Sequence, residues 1–265
     1  MNDIAQERSR LVGLLDARPE PPAPFRVVMA DAPWLFGDRL PSSGRGASKH
    51  YACMSIEDIC AFPLPPIAKD AALFLWRVSS GAPAKSKEGK QARWLAARAY
   101  DVIEAWGFEH KTEIVWNKRS ICARCKGTGR VKARIHVEQL GFVESIGSKL
   151  VYSHRGIGLC PKCDGRGTLP WFGMGRYVRG AHETGLIATR GKMVPKSKSV
   201  RSSFDAVVPR RNGEAKGTHS AKPEAFRAIV ESMFDGPYVE LFARGAPPPG
   251  WTFFGHETEA PADGA

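Results

Sequence analysis

Short apolar runs alternate with amphipathic helical patterns along this 265-residue chain, and that alternation constrains its fold more than any other feature. The runs "RVVMA" (26–30), "AALFLW" (71–76), "TEIVW" (112–116), "GLIAT" (185–189), "AVV" (206–208) and "YVELFA" (238–243) have the length and the β-branched or aromatic content of strands. Between them, Leu95, Ala99, Val102, Ile103 and Trp106 follow the 3.6-residue period of a helix, with Gly107 where a C′ glycine belongs. Phe226, Ile229, Val230, Met233 and Phe234 form a second stripe, for which Ser220 is the expected N-cap and Pro223 a first-turn residue. Strands alternating with helices predict an α/β fold with a mostly parallel sheet covered on both faces. Ligands of such sheets sit beyond the carboxyl ends of the strands. The first run ends there in "DAPW", which delivers Asp31 into Ala32, Pro33 and Trp34.

The charge balance points to a partner. Lys and Arg number 39 against 27 acids, a net charge of +12. Such an excess favours a polyanion, because every neutralised phosphate releases counterions. No apolar run approaches the ~20 residues a membrane span needs, and the start "MNDIAQERSR" has no apolar signal core. The expected setting is therefore cytoplasmic, with nucleic acid as partner and no membrane.

A cysteine-bearing block interrupts the alternation. "CARCKGTG" (Cys122, Cys125) is echoed by "CPKCDGRG" (Cys160, Cys163), each reading C-x-x-C-x-G-x-G, with 34 residues between Cys125 and Cys160. Two such turns can supply four thiolates to a tetrahedral zinc ion, and the glycines allow the chain to fold sharply around the sulfurs. The gap exceeds the commonest zinc-ribbon spacing, so a small hairpin looped out between the two knuckles is expected. A cytosolic setting disfavours disulfides, and a duplicated motif is poorly explained as a redox pair. The pair resembles the repeated knuckles of DnaJ-type co-chaperones, a family that no other part of the chain matches. A closed four-thiolate site makes the zinc structural. Lys126, Arg130, Lys132, Arg134, Lys149, Arg155, Lys162 and Arg166 make the block basic, while Cys53 and Cys60 read as ordinary thiols.

Eight segments carry a resemblance in a fixed order: "ADAPW" (30–34), "KHYACMSIEDI" (49–59), "ALFLW" (72–76), "IEAWGFEHKTEIVWNK" (103–118), "YVRGAHETGLIATRGK" (177–192), "HSAKPEAF" (219–226), "ELFAR" (240–244) and "GWTFFGHE" (250–257). From about residue 25 to 257, outside the cysteine block, the chain resembles the MT-A70 family of AdoMet-dependent adenine-N6 methyltransferases. The resemblance implies a Rossmann-like methyltransferase fold with permuted motif order, plus a small zinc-binding insertion. It divides the chain into a peripheral segment (1–24), a methyltransferase domain (25–119 and 171–257), the insertion (120–170) and a tail (258–265).

The implied site follows residue by residue. Asp31 and the carbonyl of Ala32 would accept the N–H groups of an exocyclic amine, which draws its nitrogen out of conjugation, and Pro33 stiffens the turn. Trp34 would offer a stacking face to a base taken out of its helix. Ala32 stands where the family has a proline, and the carbonyl survives that change. Asp31, Lys222, Arg244, His256 and Glu257 are the implied contacts of S-adenosyl-L-methionine, His256 standing where the family has asparagine. Tyr51, His182 and Glu183 are the implied substrate contacts, with Tyr51 following the Gly-rich "PSSGRGASKH" stretch, read as a lid. The absence of long extensions resembles prokaryotic and phage members, so DNA is the expected substrate, with RNA as alternative. A non-catalytic zinc-bearing nucleic-acid module and amino-methylation of cytosine N4 are the other readings. The expected assembly is a monomer or homodimer, with a partner subunit conceivable.

Overall fold

A computed structural model describes residues 23–35, 53–77, 95–139, 150–171, 173, 178–209, 221–243 and 245–254. In chain order the elements are β1 (Phe25–Ala30), α1 (Ile56–Cys60), β2 (Ile67–Arg77), α2 (Leu95–Ala105), β3 (Glu109–Ile121), β4 (Arg130–Gln139), β5 (Leu150–Leu159), β6 (Thr168–Pro170), β7 (His182–Arg190), β8 (Ser203–Val207), α3 (Glu224–Met233), β9 (Tyr238–Leu241) and β10 (Trp251–Phe254). They fall into two units. The first is Met1–Asn117, His182–Phe204 and His219–Ala265; the second is Lys118–Ala181 and Asp205–Thr218.

In the first unit the strands run in the order β10-β9-β1-β2-β7-β3. β10, β9, β1 and β2 are parallel neighbours. β7 is antiparallel to β2 and to β3. The expected mostly parallel sheet is thus half right. Parallel neighbours need a crossover connection, usually a helix. The chain reaches β7 from the second unit and not from a covering helix, so nothing obliges that strand to run parallel.

Both faces of the sheet are covered, and the alternation of side chains along each strand decides which residue goes where. Val28 and Ala30 of β1 and Leu73 and Leu75 of β2 join one core with Ile56 and Ile59 of α1 and Ala99, Val102 and Ile103 of α2. Their neighbours Phe74 and Trp76 meet Phe226 of α3, with ring centroids 5.8 and 4.5 Å away. Trp106 ties α2 to α1 by donating from Nε1 to the Ile59 carbonyl at 3.0 Å. α2 stops at Gly107, whose φ of +76° belongs to the left-handed region that ends helices. Pro223 caps α3 in an extended conformation, φ −70° and ψ 139°, one residue before the first turn where it was expected. Ser220 lies outside the described residues.

The second unit holds the end of β3 paired with β6, from Arg119↔Pro170 to Ile121↔Thr168. The expected hairpin is present: β4 pairs with β5 in an unbroken antiparallel register from Arg130↔Leu159 to Gln139↔Leu150. No helix among the described residues is long and apolar enough to cross a membrane.

Candidate functional site

Asp31 is the first residue beyond β1, at the carboxyl edge shared by the parallel strands β1, β2 and β9. Because β7 runs antiparallel to β2, its beginning lies at that same edge: Thr184 pairs with Arg77, and Glu183 precedes it. Lys222 stands just before the Pro223 cap of α3. These three elements converge on one ammonium. Lys222 Nζ lies 2.5 Å from Asp31 Oδ2 and 3.3 Å from Glu183 Oε2. The lysine side chain is 7% exposed and the two carboxylates 22% and 23%. Burial alone would push its pKa down; the charge of Asp31, then that of Glu183, outweighs it and holds the ammonium above the ordinary lysine range. Two carboxylates thus share one ammonium in a half-enclosed place.

The wall beside this cluster is aromatic. The Trp76 ring centroid is 5.5 Å from Lys222 Nζ. Its indole N–H is buried and has no hydrogen-bond partner among the described residues. A buried donor of this kind is a rarity that a bound acceptor would satisfy.

The Asp-Ala-Pro-Trp turn is pinned on every side. The Trp34 N–H donates to the Ala32 carbonyl at 2.9 Å across Pro33, whose fixed φ suits so tight a turn. Met54 donates to the Pro33 carbonyl at 2.8 Å and accepts from the Leu35 N–H at 3.1 Å. Trp34 Nε1 donates to the Trp76 carbonyl at 3.1 Å, and the ring belongs to the core, 4% exposed. The expected open stacking face on Trp34 is therefore not what this arrangement presents: the indole is built into the scaffold that holds Asp31. The Ala32 carbonyl already accepts one N–H, and a carbonyl oxygen has a second lone pair.

A third carboxylate, and a buried one, lies on β9. Glu240 on β9 is 6% exposed, and its Oε2 accepts from Arg227 Nη2 of α3 at 2.8 Å and from Nε at 2.9 Å. Burial raises the Glu240 pKa and the Arg227 charge opposes that rise. Composition could not reveal this pair, since Glu240 sits inside an apolar run. Of the other implied contacts, His182 is exposed at the start of β7, opposite Asn117. Tyr51, Arg244, His256 and Glu257 lie outside the described residues.

The four motif cysteines come together in the second unit. Their Sγ atoms all lie within 4.8 Å of one another, with Cys122–Cys160 at 3.9 Å and Cys125–Cys163 at 3.7 Å. A tetrahedral zinc with Zn–S bonds of about 2.3 Å needs sulfurs about 3.8 Å apart, so the four thiols fit that ion. All four are buried. Backbone N–H groups, that of Cys125 first, lower the Cys122 thiol to about 7, whereas burial pushes Cys163 up to about 11.

The x-G-x-G tails explain themselves here. The Cys122 N–H donates to the Gly167 carbonyl at 2.9 Å, and the Cys160 N–H to the Gly129 carbonyl at 2.8 Å. Each knuckle thus closes on the last glycine of the other. Gly129 and Gly167 have φ of +72° and +74°, and a Cβ on either would overlap a backbone carbonyl oxygen, that of Gly165 or Gly127. The repeat encodes two interlocked, pseudo-symmetric halves.

Comparison with known proteins adds the following. No family model matches the chain. Over 106 residues, 40% of the chain, it is 30% identical to a Drosophila melanogaster protein named N(6)-adenosine-methyltransferase MT-A70-like protein. Over 106 residues it is 29% identical to an Arabidopsis thaliana protein named N(6)-adenosine-methyltransferase MT-A70-like. The matched stretch spans 14% of the first relative and 12% of the second. These similarities support kinship with the MT-A70 family, and the mixed α/β sheet is compatible with a methyltransferase fold.

Proposed function

We propose that this protein is an AdoMet-dependent methyltransferase that modifies the exocyclic N6 amine of adenine in DNA. The observation that carries the reading is the convergence of Asp31, Lys222 and Glu183 at the carboxyl edge of the sheet, joined to the Asp-Ala-Pro-Trp turn. The names of the two relatives point to the same chemistry. AdoMet supplies, when bound, an electrophilic methyl group on a cationic sulfonium. The Asp31 carboxylate suits that cation, and Lys222, together with Arg244, His256 and Glu257 from the sequence, would hold the cofactor's carboxylate and ribose.

The chain's own residues then act on the amine. An aromatic amine is a poor nucleophile because its lone pair is delocalised into the ring. The Asp31 carboxylate accepts one N–H and the second lone pair of the Ala32 carbonyl accepts the other, which favours a tetrahedral nitrogen. Trp34 and Met54 keep that turn from shifting, and the Lys222 hydrogen bond fixes the Asp31 carboxylate. Tyr51, His182 and Glu183 remain the candidate contacts of the target nucleotide, with Glu183 also serving as counter-ion to Lys222. The four cysteines would hold a structural zinc ion in a small inserted module, and the methyltransferase motifs would follow the permuted order.

The test is incubation of the full chain with methyl-labelled AdoMet and separate DNA and RNA pools, followed by nucleoside analysis. N6-methyladenine in the DNA pool is expected, and its loss in Asp31→Ala. Label in the RNA pool alone would reassign the substrate, and label in neither would leave a binding module.

A further inference from the structure

We propose that the β4–β5 hairpin is a docking ribbon for the major groove of a DNA duplex. The basic charge of the protein is concentrated around it. Residues 118–181 carry thirteen Lys or Arg against three acids, whereas the rest of the chain has 26 against 24. The net charge of +12 is therefore largely a property of this stretch.

The register sharpens the point. Arg130 pairs with Leu159, Lys132 with Ile157, and Arg134 with Arg155. Two of these three pairs set a cation beside an aliphatic residue on one face of the ribbon. Arg130 and Lys132 are exposed, and so are the large apolar Ile157 and Leu159, at 65% and 68%. Val131, on the opposite face, packs against the cysteine cluster. At the knuckle end of the ribbon one face is thus fastened to the four-cysteine core through Val131, and the other offers Arg130 and Lys132 beside Ile157 and Leu159, the combination that meets phosphates and thymine methyls.

Size and shape favour duplex DNA. Ten residues per strand give a ribbon about 33 Å long. The major groove of B-DNA, about 12 Å wide, admits a two-stranded β-ribbon. The major groove of duplex RNA is too narrow and deep for such an element.

The inference rests on the reading of a DNA substrate, and binding measured without AdoMet separates the two. Fluorescence anisotropy of a 30-base-pair DNA duplex is followed across a salt series for the full chain and for Arg130→Ser/Lys132→Ser/Arg134→Ser/Arg155→Ser. The control is Lys69→Ser/Lys192→Ser/Lys198→Ser/Arg201→Ser, which removes four exposed cations from the first unit. The ribbon variant is expected to lose at least tenfold in affinity and about 3 from the slope of log K against log salt, the control less than 1. Lys132→Ser alone, at a described and exposed position, should weaken duplex binding several-fold with an unchanged melting temperature; this holds the proposal to account even where the fourfold variant fails to fold. Equal losses in ribbon variant and control would overturn it, as would equal or tighter binding of duplex RNA or single-stranded DNA through the same residues. Duplex binding through the ribbon in a protein that transfers no methyl group would overturn the proposed function and leave the ribbon standing.

Discussion

Lys222 donates to Asp31 across 191 residues of sequence, and the contact exists because the end of β1 and the start of α3 meet at one edge of the sheet. Glu183 completes the arrangement from an antiparallel strand. One ammonium thus restrains two carboxylates that would otherwise repel each other.

Replacing Lys222 by Met should therefore cost stability, and the cost should depend on pH. Breaking a buried pair costs roughly 3–5 kcal/mol. Here the carboxylates are partly exposed, so about 2–3 kcal/mol is expected near neutrality. The ammonium is held above the ordinary lysine range by its two carboxylates, so the pairing needs them ionised. Its contribution is therefore full near neutrality and falls as the carboxylates are protonated in acid. Thermal melts of parent and variant at pH 4 and pH 7.5 check this: the gap between them should shrink in acid. A gap of the same size at both values would mean that charge is not its cause.

Removing the metal should act on the second unit. The protein is expected to carry one zinc per chain by elemental analysis, released when the thiols are titrated with a mercurial. Cys125→Ser should lower the zinc content and remove amide-exchange protection from the β4–β5 ladder. Metal-free protein with full protection there would contradict the four-cysteine centre.

The glycine pattern yields a sharper comparison. Gly129→Ala or Gly167→Ala would force a Cβ into a backbone carbonyl of the other knuckle, at a positive φ. Either should abolish zinc retention. Gly107→Ala also has a positive φ but meets nothing within 4 Å, so it should cost only the local conformational strain, about 1 kcal/mol. Zinc content and melting temperature of the three variants distinguish packing from backbone strain.

Legibility in the sequence followed physical range. Strand runs, helix stripes and the position of Asp31 depend on local pattern, and each had a visible signal. The hairpin β4–β5 lacked a clear period because Gly156 and Gly158 alternate with polar and apolar residues, yet the matched knuckles implied it. The direction of β7 was not encoded in "GLIAT", since an apolar run carries no orientation; with it went the pairing of Glu183 with Lys222. Glu240 was hidden because its partner Arg227 lies on another element. Trp34 was read by its chemistry as a stacking ring, but its indole N–H has a backbone acceptor 42 residues away, which no spacing reveals.

That hydrogen bond makes Trp34 testable as scaffold. Trp34→Phe keeps an aromatic ring but removes the donor to the Trp76 carbonyl, leaving a buried acceptor unsatisfied. Such a loss costs about 1–3 kcal/mol, and the smaller ring adds a cavity term. Urea unfolding should therefore show about 2–4 kcal/mol of destabilisation, without change in the denaturant slope. Methyl transfer assayed well below the melting point should fall only modestly if Trp34 acts by holding the turn. Unchanged stability with abolished transfer would instead return Trp34 to the role of a stacking face for the base.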